Sequence, residues 1–238
     1  MEIALDEIDS RLSRSAIPVE VLEVGTSGIF PLVISDITQG AVVSVTHLDP
    51  NRPSVSDLGF RHDTANRAYR CFTANLEMEP LDCPDSSFDV VLLCEVVEHF
   101  ELDPMAGLAE INRVMRPDST LVVTTPNINS YRAVYKMLHG YSPYFFMKYT
   151  TKYGRHNYEY SVPDLSNLLM SAGFIEDRMW TEDTFEDPLP EDIERTLADA
   201  IALAGGQPTN RGDNIFAVYR KAGPVIDRYP ASSYAYVN

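Results

Sequence analysis

The sequence has few basic residues, few cysteines and no long hydrophobic run. Its 238 residues include 19 Lys and Arg against 35 Asp and Glu, so the formal net charge is −16 at pH 7. Such a charge would repel the phosphate backbone of nucleic acid and argues against it as a partner. No segment approaches the roughly 18 apolar residues of a membrane span. The first residues also lack the basic and apolar regions of a secretory signal. We therefore expect a cytoplasmic protein without a membrane span.

Cysteine content and chain length restrict the fold further. Cys71, Cys83 and Cys94 are odd in number and lack the spacing of a metal site, which favours reduced thiols over disulfides. A chain of this length can bury one sizeable core, so we expect a single domain over residues 1–238. Within this domain we expect an N-terminal amphipathic helix at 1–18, an aromatic-rich insertion at 128–160 and a surface tail at 224–238.

Strand-like and helix-like segments alternate along the chain, which predicts a doubly wound α/β fold with a mostly parallel sheet and right-handed crossovers. Seven strands are expected, at 19–24, 41–48, 70–74, 88–94, 120–125, 174–181 and 214–219. Helices are expected at 28–38, 104–115, 128–139, 161–172 and 190–204. The last two strands are predicted to form an antiparallel hairpin that carries a helix. Residues 50–70 are polar, contain two prolines and are predicted to form a loop with at most one helix.

A tight turn of small residues follows the first predicted strand. The segment Val21-Leu22-Glu23-Val24-Gly25-Thr26-Ser27-Gly28 leads from a strand directly into a helix. Glycines at such a turn let a ligand approach the backbone, and the N-terminus of the helix faces that ligand. The spacing is not the Gly-x-Gly-x-x-Gly of a dinucleotide site. The turn is therefore either the binding site of another adenosine cofactor or an ordinary connection between a strand and a helix.

Four segments in this order resemble the class I S-adenosylmethionine-dependent methyltransferases, over about residues 18–220. They are Leu22–Gly28; Asn75–Leu81 followed by Ser87–Val91; Cys94–His99; and Ile111–Pro117 leading to Thr124–Asn127. The resemblance is to the subgroup with Glu-x-x-Glu-His after strand four, which includes ubiquinone-pathway and small-RNA 2′-O-methyltransferases. The segments Gly154–Tyr160 and Arg211–Ile215 look like relatives associated with glycan and polysaccharide modification. The resemblance implies a Rossmann-like methyltransferase fold with an antiparallel C-terminal strand and the insertion as a lid.

The resemblance also implies a set of cofactor-binding residues. The turn would hold the methionine part of the cofactor, and Glu23 would orient the turn or receive the ammonium group through water. His47 stands where relatives carry the acidic residue that holds the ribose; Asp49 follows two residues later and is preferred, because a carboxylate can accept both hydroxyl protons. The full set is Glu23, Gly25, Thr26, Ser27, Gly28, His47, Asp49, Asn75, Leu76 and Cys94, with Asn75 and Leu76 facing the adenine.

The Glu-x-x-Glu-His segment suggests the chemistry. Glu95, Glu98 and His99 would point to one side if the chain entered a helical turn there. They could then hold a divalent ion, with His156 as a fourth ligand, as small-RNA methyltransferases of this subgroup do. Such mixed ligands suit Mn, Fe or Zn at least as well as Mg. Alternatively, His99 is a metal-free general base polarised by Glu98, or a hydrogen-bonded structural histidine.

The aromatic segment 141–160 has two interpretations. It is either a lid that receives a polyhydroxylated or ring-shaped acceptor, with Tyr144, Tyr153 and Arg155 as candidate substrate contacts, or a hydrophobic clamp that covers the sheet edge or forms a homodimer interface. The abundance of tyrosine favours a hydrogen-bonding surface.

The expected function is S-adenosylmethionine-dependent O-methylation of a sugar or glycan precursor, with or without a metal ion. The first alternative is a methyltransferase for a phenolic or lipid-like small molecule. The second is a cofactor-binding regulatory subunit without turnover. A 2′-O-methyltransferase for RNA is disfavoured, because the chain is acidic and lacks a basic stripe.

Overall fold

A computed structural model describes residues 1–15, 17–26, 28–49, 51–62, 65–143 and 155–231. The predicted alternation of strands and helices is confirmed. The helices are α1 (Glu2–Leu12), α2 (Ile29–Ile37), α3 (Pro104–Val114), α4 (Tyr131–Leu138), α5 (Val162–Ser171) and α6 (Glu191–Leu203), and a short 3₁₀ helix spans Val97–His99. The strands are β1 (Val19–Glu23), β2 (Ala41–His47), β3 (Val55–His62), β4 (Ala65–Thr73), β5 (Phe88–Cys94), β6 (Met115–Pro126), β7 (Phe174–Glu182) and β8 (Asn214–Lys221).

The described strands form one sheet in the order β3-β4-β2-β1-β5-β6-β8-β7. The ladders that join β4, β2, β1, β5 and β6 are parallel, as predicted. The predicted C-terminal hairpin is confirmed, because β7 pairs antiparallel with β8 and α6 lies between them in the chain. The chain leaves β1 towards β2 on one side and returns through β5 on the other. This reversal of strand order opens a crevice at the carboxyl ends of β1 and β5, where α/β folds bind ligands.

The prediction for residues 50–70 was wrong, and the sheet has eight strands in the described chain instead of seven. β3 pairs antiparallel with β4 along its whole length, and β4 begins at Ala65 instead of residue 70. Leu58 and Phe60 alternate with polar residues and pack against the core beneath α2. An edge strand buries only one such face, so it lacks the continuous apolar run that identifies β5.

Two apolar clusters lie on the opposite faces of the sheet. In β5, Val91 and Leu93 pack with α3 and α5, while Val90 and Leu92 pack with α1 and α2. This alternation is the period of a strand, and its covered faces explain the apolar sequence from 88 to 94. Helix α1 ends at Leu12, six residues before the predicted end. In the described part of the chain, no helix is long and apolar enough to cross a membrane.

Candidate functional site

A cavity of about 310 Å³ lies at the carboxyl ends of β1, β2 and β4; we call it the turn cavity, because the turn after β1 forms part of its wall. It is lined by Val24, Gly25, Thr46, Leu48, Ala74, Asn75, Leu76, Glu77, Glu95, Val96, His99, Phe100 and Glu101. Its position is that of the crevice at the reversal of strand order.

The turn after β1 is held by hydrogen bonds that depend on its sequence. Glu23 is buried, and its Oε2 accepts a hydrogen bond of 2.6 Å from the Thr26 hydroxyl. The amide of Gly25 donates to Thr46 Oγ1 at 2.8 Å. Gly25 and Gly28 have φ of 68° and 79°, in the region that favours glycine. A Cβ on Gly25 would lie 2.8 Å from a methyl group of Val96, so the turn leaves backbone, not side chain, on the cavity wall.

The end of β2 presents other residues than predicted. Thr46 and Leu48 line the turn cavity, whereas His47 and Asp49 do not belong to its wall. Successive residues of a strand point to opposite faces, which separates His47 from Thr46. The Asp49 carboxylate accepts the amide of Asn51 at 3.0 Å, and this hydrogen bond lowers the pKa of Asp49. The carboxylate therefore closes a local turn.

Asn75, Leu76 and Glu77 form another part of the wall of the turn cavity. Leu76 is buried, and Asn75 Oδ1 accepts the amide of Glu77 at 3.0 Å. The Glu77 carboxylate accepts the amides of residues 101, 102 and 103, at 2.8, 2.7 and 2.6 Å. These hydrogen bonds fix the loop before α3 and use both oxygens of the carboxylate.

A second cavity of about 290 Å³ adjoins the first; we call it the α4 cavity, because one face of α4 lines it. Its wall is formed by Glu95, Glu98, His99, Pro126, Asn127, Ser130, Arg132, Ala133, Lys136, Pro143, His156, Glu159, Thr184, Phe185, Asp213 and Asn214. Glu95 and His99 belong to the walls of both cavities. A ligand in the turn cavity and a second in the α4 cavity would therefore meet at these two residues.

Glu98, His99 and His156 form a cluster at this junction. One carboxylate oxygen and one nitrogen of each imidazole lie within 4.8 Å of one another. The segment with His156 is attached to the 3₁₀ helix, since Asn157 donates its amide to the Glu98 carbonyl at 2.8 Å and its side chain donates to the His99 carbonyl at 3.0 Å. These bonds join positions almost sixty residues apart.

Hydrogen bonds fix the tautomer of both imidazoles. His99 Nδ1 lies 2.8 Å from the carbonyl of Arg155, which can only accept, so Nδ1 carries the proton and Nε2 keeps a lone pair. His156 Nδ1 lies 2.9 Å from Glu159 Oε1, which leads to the same assignment. Burial lowers the pKa of His99. For His156 burial acts in the same direction, but the hydrogen bond to Glu159 and the nearby carboxylates raise its pKa.

The Glu98 side chain is fully buried with a polar atom that lacks a partner. Its Oε2 accepts a hydrogen bond of 2.9 Å from the Thr125 hydroxyl. Its Oε1 finds no hydrogen-bond partner among the residues that the structure describes, and lies 3.9 Å from His99 Nε2. Burial, and next the charge of Glu95, raise the pKa of Glu98 to about 8. A buried carboxylate oxygen without a hydrogen-bond partner costs free energy. A bound ligand would remove that cost.

Glu95 does not share a helical turn with Glu98 and His99, so that part of the prediction was wrong. Glu95 has a left-handed backbone with φ of 54°, and the 3₁₀ helix starts only at Val97. Its Oε1 accepts hydrogen bonds from Thr124 Oγ1 and Asn214 Nδ2, at 2.8 and 2.9 Å. The predicted metal set Glu95, Glu98, His99 and His156 is therefore assembled without Glu95.

The other predicted site residues are placed as follows. Cys94 packs against the cluster beneath α1 and α2, and burial raises the pKa of its thiol to about 12. Arg155 contributes its carbonyl to His99, while its side chain donates to Asn157 Oδ1 at 2.8 Å. The predictions for Ser27, Tyr144 and Tyr153 fall outside the described residues.

Sequence reasoning missed most of the α4 cavity. Arg132 and Lys136 come from α4, where a spacing of four residues places them on one face. Arg132 Nε lies 3.2 Å from the buried Asp213 carboxylate, and its guanidinium lies over the Phe185 ring at 4.9 Å. Glu159 and Asp213 lie in the two segments, Gly154–Tyr160 and Arg211–Ile215, that resemble glycan-associated relatives. That resemblance could have pointed to both residues as part of the site.

Comparisons with known proteins agree with this architecture. Residues 22–123 match the family model described as a methyltransferase domain. No curated protein matches the chain in sequence.

Solved structures extend the likeness to nearly the whole chain. A SAM-dependent methyltransferase from Archaeoglobus fulgidus is 16% identical with a TM-score of 0.55, covering 92% of this chain and 94% of that one. A 1,6-didemethyltoxoflavin-N1-methyltransferase from Burkholderia thailandensis, solved with its substrate and S-adenosylhomocysteine, is 15% identical with a TM-score of 0.52, covering 92% and 77%. A possible histamine N-methyltransferase from Thermotoga maritima is 16% identical with a TM-score of 0.53, covering 92% and 89%. Residues 22–123 are therefore similar to a methyltransferase domain, and nearly the whole chain shares the fold of these methyltransferases.

Proposed function

We propose that the protein methylates a hydroxyl group of a polyhydroxylated acceptor, such as a sugar or glycan precursor, and that a divalent ion bound by Glu98, His99 and His156 assists the reaction. The observation that carries the proposal is the junction of the two cavities. The turn cavity takes S-adenosylmethionine, the α4 cavity takes the acceptor, and the Glu98–His99–His156 cluster lies where they meet.

Methyl transfer needs alignment more than activation of the donor, because the sulfonium is already a reactive methyl donor. The acceptor oxygen, the methyl carbon and the sulfur must lie in line. Cofactor and acceptor in adjoining cavities approach each other across Glu95 and His99, which supports such a geometry. An alcohol acceptor must also lose its proton, which requires a base, a metal ion or both.

The cluster fits a divalent ion by its donor set. The Nδ1 atoms of the two imidazoles are bound to a carbonyl and a carboxylate, an arrangement common behind metal ligands. A bound ion would also be a partner for the buried Glu98 Oε1, which has none among the described residues. A bound ion would lower the pKa of an acceptor hydroxyl. Without an ion, His99 Nε2 is the candidate base, which keeps the metal-free mechanism as the competing account.

The lining of the α4 cavity favours a polar acceptor. Asn127, Ser130, Arg132, Lys136 and Asp213 supply hydrogen-bond donors and acceptors. Four of the sixteen lining residues are apolar, namely Pro126, Ala133, Pro143 and Phe185. This composition suits a molecule with several hydroxyl groups better than a phenolic or lipid-like one.

An assay of S-adenosylhomocysteine release against a panel of acceptors tests the proposal. The panel comprises monosaccharides and methyl glycosides, simple phenols, and fatty alcohols, each with Mn²⁺ or with EDTA. We expect product only with the sugars, and at least tenfold less of it in EDTA. Product confined to phenols or fatty alcohols would contradict the acceptor class, and equal rates in EDTA would favour the metal-free base.

An amine acceptor is a second candidate. Glu95, Glu159 and Asp213 line the α4 cavity and could hold a cationic amine. Adding histamine and simple primary amines to the same panel separates the two candidates, since an N-methylated product would need no metal to lower the pKa of a hydroxyl. Cofactor binding without any methylated product would support the regulatory subunit.

A further inference from the structure

Glu95 has a backbone geometry that is unusual for a residue with a side chain. It is a non-glycine residue with φ of 54°, directly after β5. Such backbones cost free energy and persist where the surroundings enforce them, often at functional sites. Here the enforcement is visible, because the Glu95 amide donates to the Thr124 carbonyl at 2.8 Å, and the side chain is held as well.

The hydrogen bonds to the carboxylate all end on one oxygen. Thr124 Oγ1 and Asn214 Nδ2 both donate to Oε1, and Thr184 in turn donates to Asn214 Oδ1 at 3.1 Å. Oε2 accepts no hydrogen bond from the residues that the structure describes. The surface that Glu95 exposes lines both cavities.

We propose that Glu95 faces the sulfonium of bound S-adenosylmethionine and gives the site a preference for this cofactor over S-adenosylhomocysteine. The two molecules differ there by one methyl group and one positive charge, and a carboxylate discriminates between them through the charge. Since methyl transfer converts the sulfonium into a neutral thioether, the attraction disappears with the reaction and favours release of the product. Asn214 is the positioning residue, because its side chain donates a hydrogen bond to Oε1.

Calorimetric titration of the full chain with the two cofactors, without acceptor or metal, tests this proposal. Glu95→Gln keeps an oxygen that can accept both hydrogen bonds and replaces the other, charged oxygen by a neutral NH₂ group. We expect the ratio of the two affinities to fall about tenfold in Glu95→Gln, through weaker binding of S-adenosylmethionine. An analogue with an amine in place of the methyl sulfonium should lose affinity in parallel, because it keeps the positive charge. Glu186→Gln is the matched control, an exposed carboxylate outside both cavities.

Each other result overturns the proposal. These results are an unchanged ratio in Glu95→Gln, an equal loss of both cofactors, the same fall in Glu186→Gln, or no preference in the wild-type protein. If circular dichroism shows that Glu95→Gln is unfolded, Asn214→Ala is tested in its place. We expect Asn214→Ala to lower the ratio of the two affinities about threefold. A parallel titration with Mn²⁺ compares Glu95→Gln with Glu98→Gln. If both variants weaken Mn²⁺ binding equally, Glu95 is a metal ligand and the proposal is wrong. Since no acceptor is used, failure to methylate a sugar leaves this test intact.

Discussion

At the scale of single residues, the site depends on two glutamates three positions apart with different surroundings. Glu98 is enclosed by protein and keeps one oxygen without a described partner, whereas Glu95 opens on the cavities and is fixed by Thr124 and Asn214. The sequence places both glutamates and His99 in one short segment. The different surroundings of the two side chains could not be predicted. The left-handed backbone of Glu95 follows from hydrogen bonds to β6 and β8, whose residues Thr124 and Asn214 lie 29 and 119 positions away in the chain.

The pKa of Glu98 predicts a pH-dependent stability for the metal-free protein. The folded state holds this proton up to about pH 8, whereas the unfolded chain releases it near 4.5. Folding therefore binds a proton between these values, and stability falls as the pH rises through that window. In EDTA, urea unfolding should show a decline on the order of 3 kcal/mol from pH 5 to pH 8 that is absent in Glu98→Gln. An equal decline in both proteins would contradict the assignment.

Glu159 is predicted to act on the metal through His156. Its buried carboxylate accepts from Nδ1 and so directs Nε2 towards the cluster. Replacing such a partner typically lowers metal affinity about 10- to 100-fold. We expect Glu159→Ala to weaken Mn²⁺ binding by that factor in a calorimetric titration, and Glu159→Gln, which can still accept a hydrogen bond, to weaken it less. Unchanged Mn²⁺ affinity in both variants would exclude this role.

At the scale of elements, the turn between β1 and α2 and the hairpin of β3 and β4 form one unit. The ring of Phe60 in β3 lies 3.0 Å from the place that a Cβ on Gly28 would occupy, so the hairpin packs on the turn. The sequence predicts the turn because its glycines and Glu23 are local signals. The hairpin was missed because an edge strand with one buried face mixes Leu58 and Phe60 with charges, and polar segments with prolines also occur in loops.

Gly25→Ala tests the turn. The new Cβ would lie 2.8 Å from a Val96 methyl group and force a left-handed backbone on alanine. We expect the affinity for S-adenosylhomocysteine, measured by calorimetry, to fall at least about tenfold because the turn must shift. Gly205→Ala is the control for backbone strain alone, since Gly205 has φ of 79° with open space around it. A similar loss in both variants, or in neither, would contradict a specific role for the turn.

At the scale of the whole molecule, the reversal of strand order between β1 and β5 brings the site together. It places the turn, the end of β5 and the start of β8 at one edge of the sheet, where the two cavities share Glu95 and His99. The fold class was predictable, because strands and helices alternate with clear periodicity. The α4 cavity was not predictable, because its wall combines α4, the segment after residue 155 and the β7–β8 hairpin, and only tertiary packing sets their distances.

The most direct test of this account is a crystal structure of the protein with S-adenosylhomocysteine. We expect the homocysteine part to lie along the Gly25–Gly28 turn and the adenine to lie against Asn75 and Leu76. The sulfur should then lie at the junction of the cavities, beside Glu95 and facing His99. A cofactor bound in the α4 cavity, or with its sulfur directed away from Glu95 and His99, would contradict it.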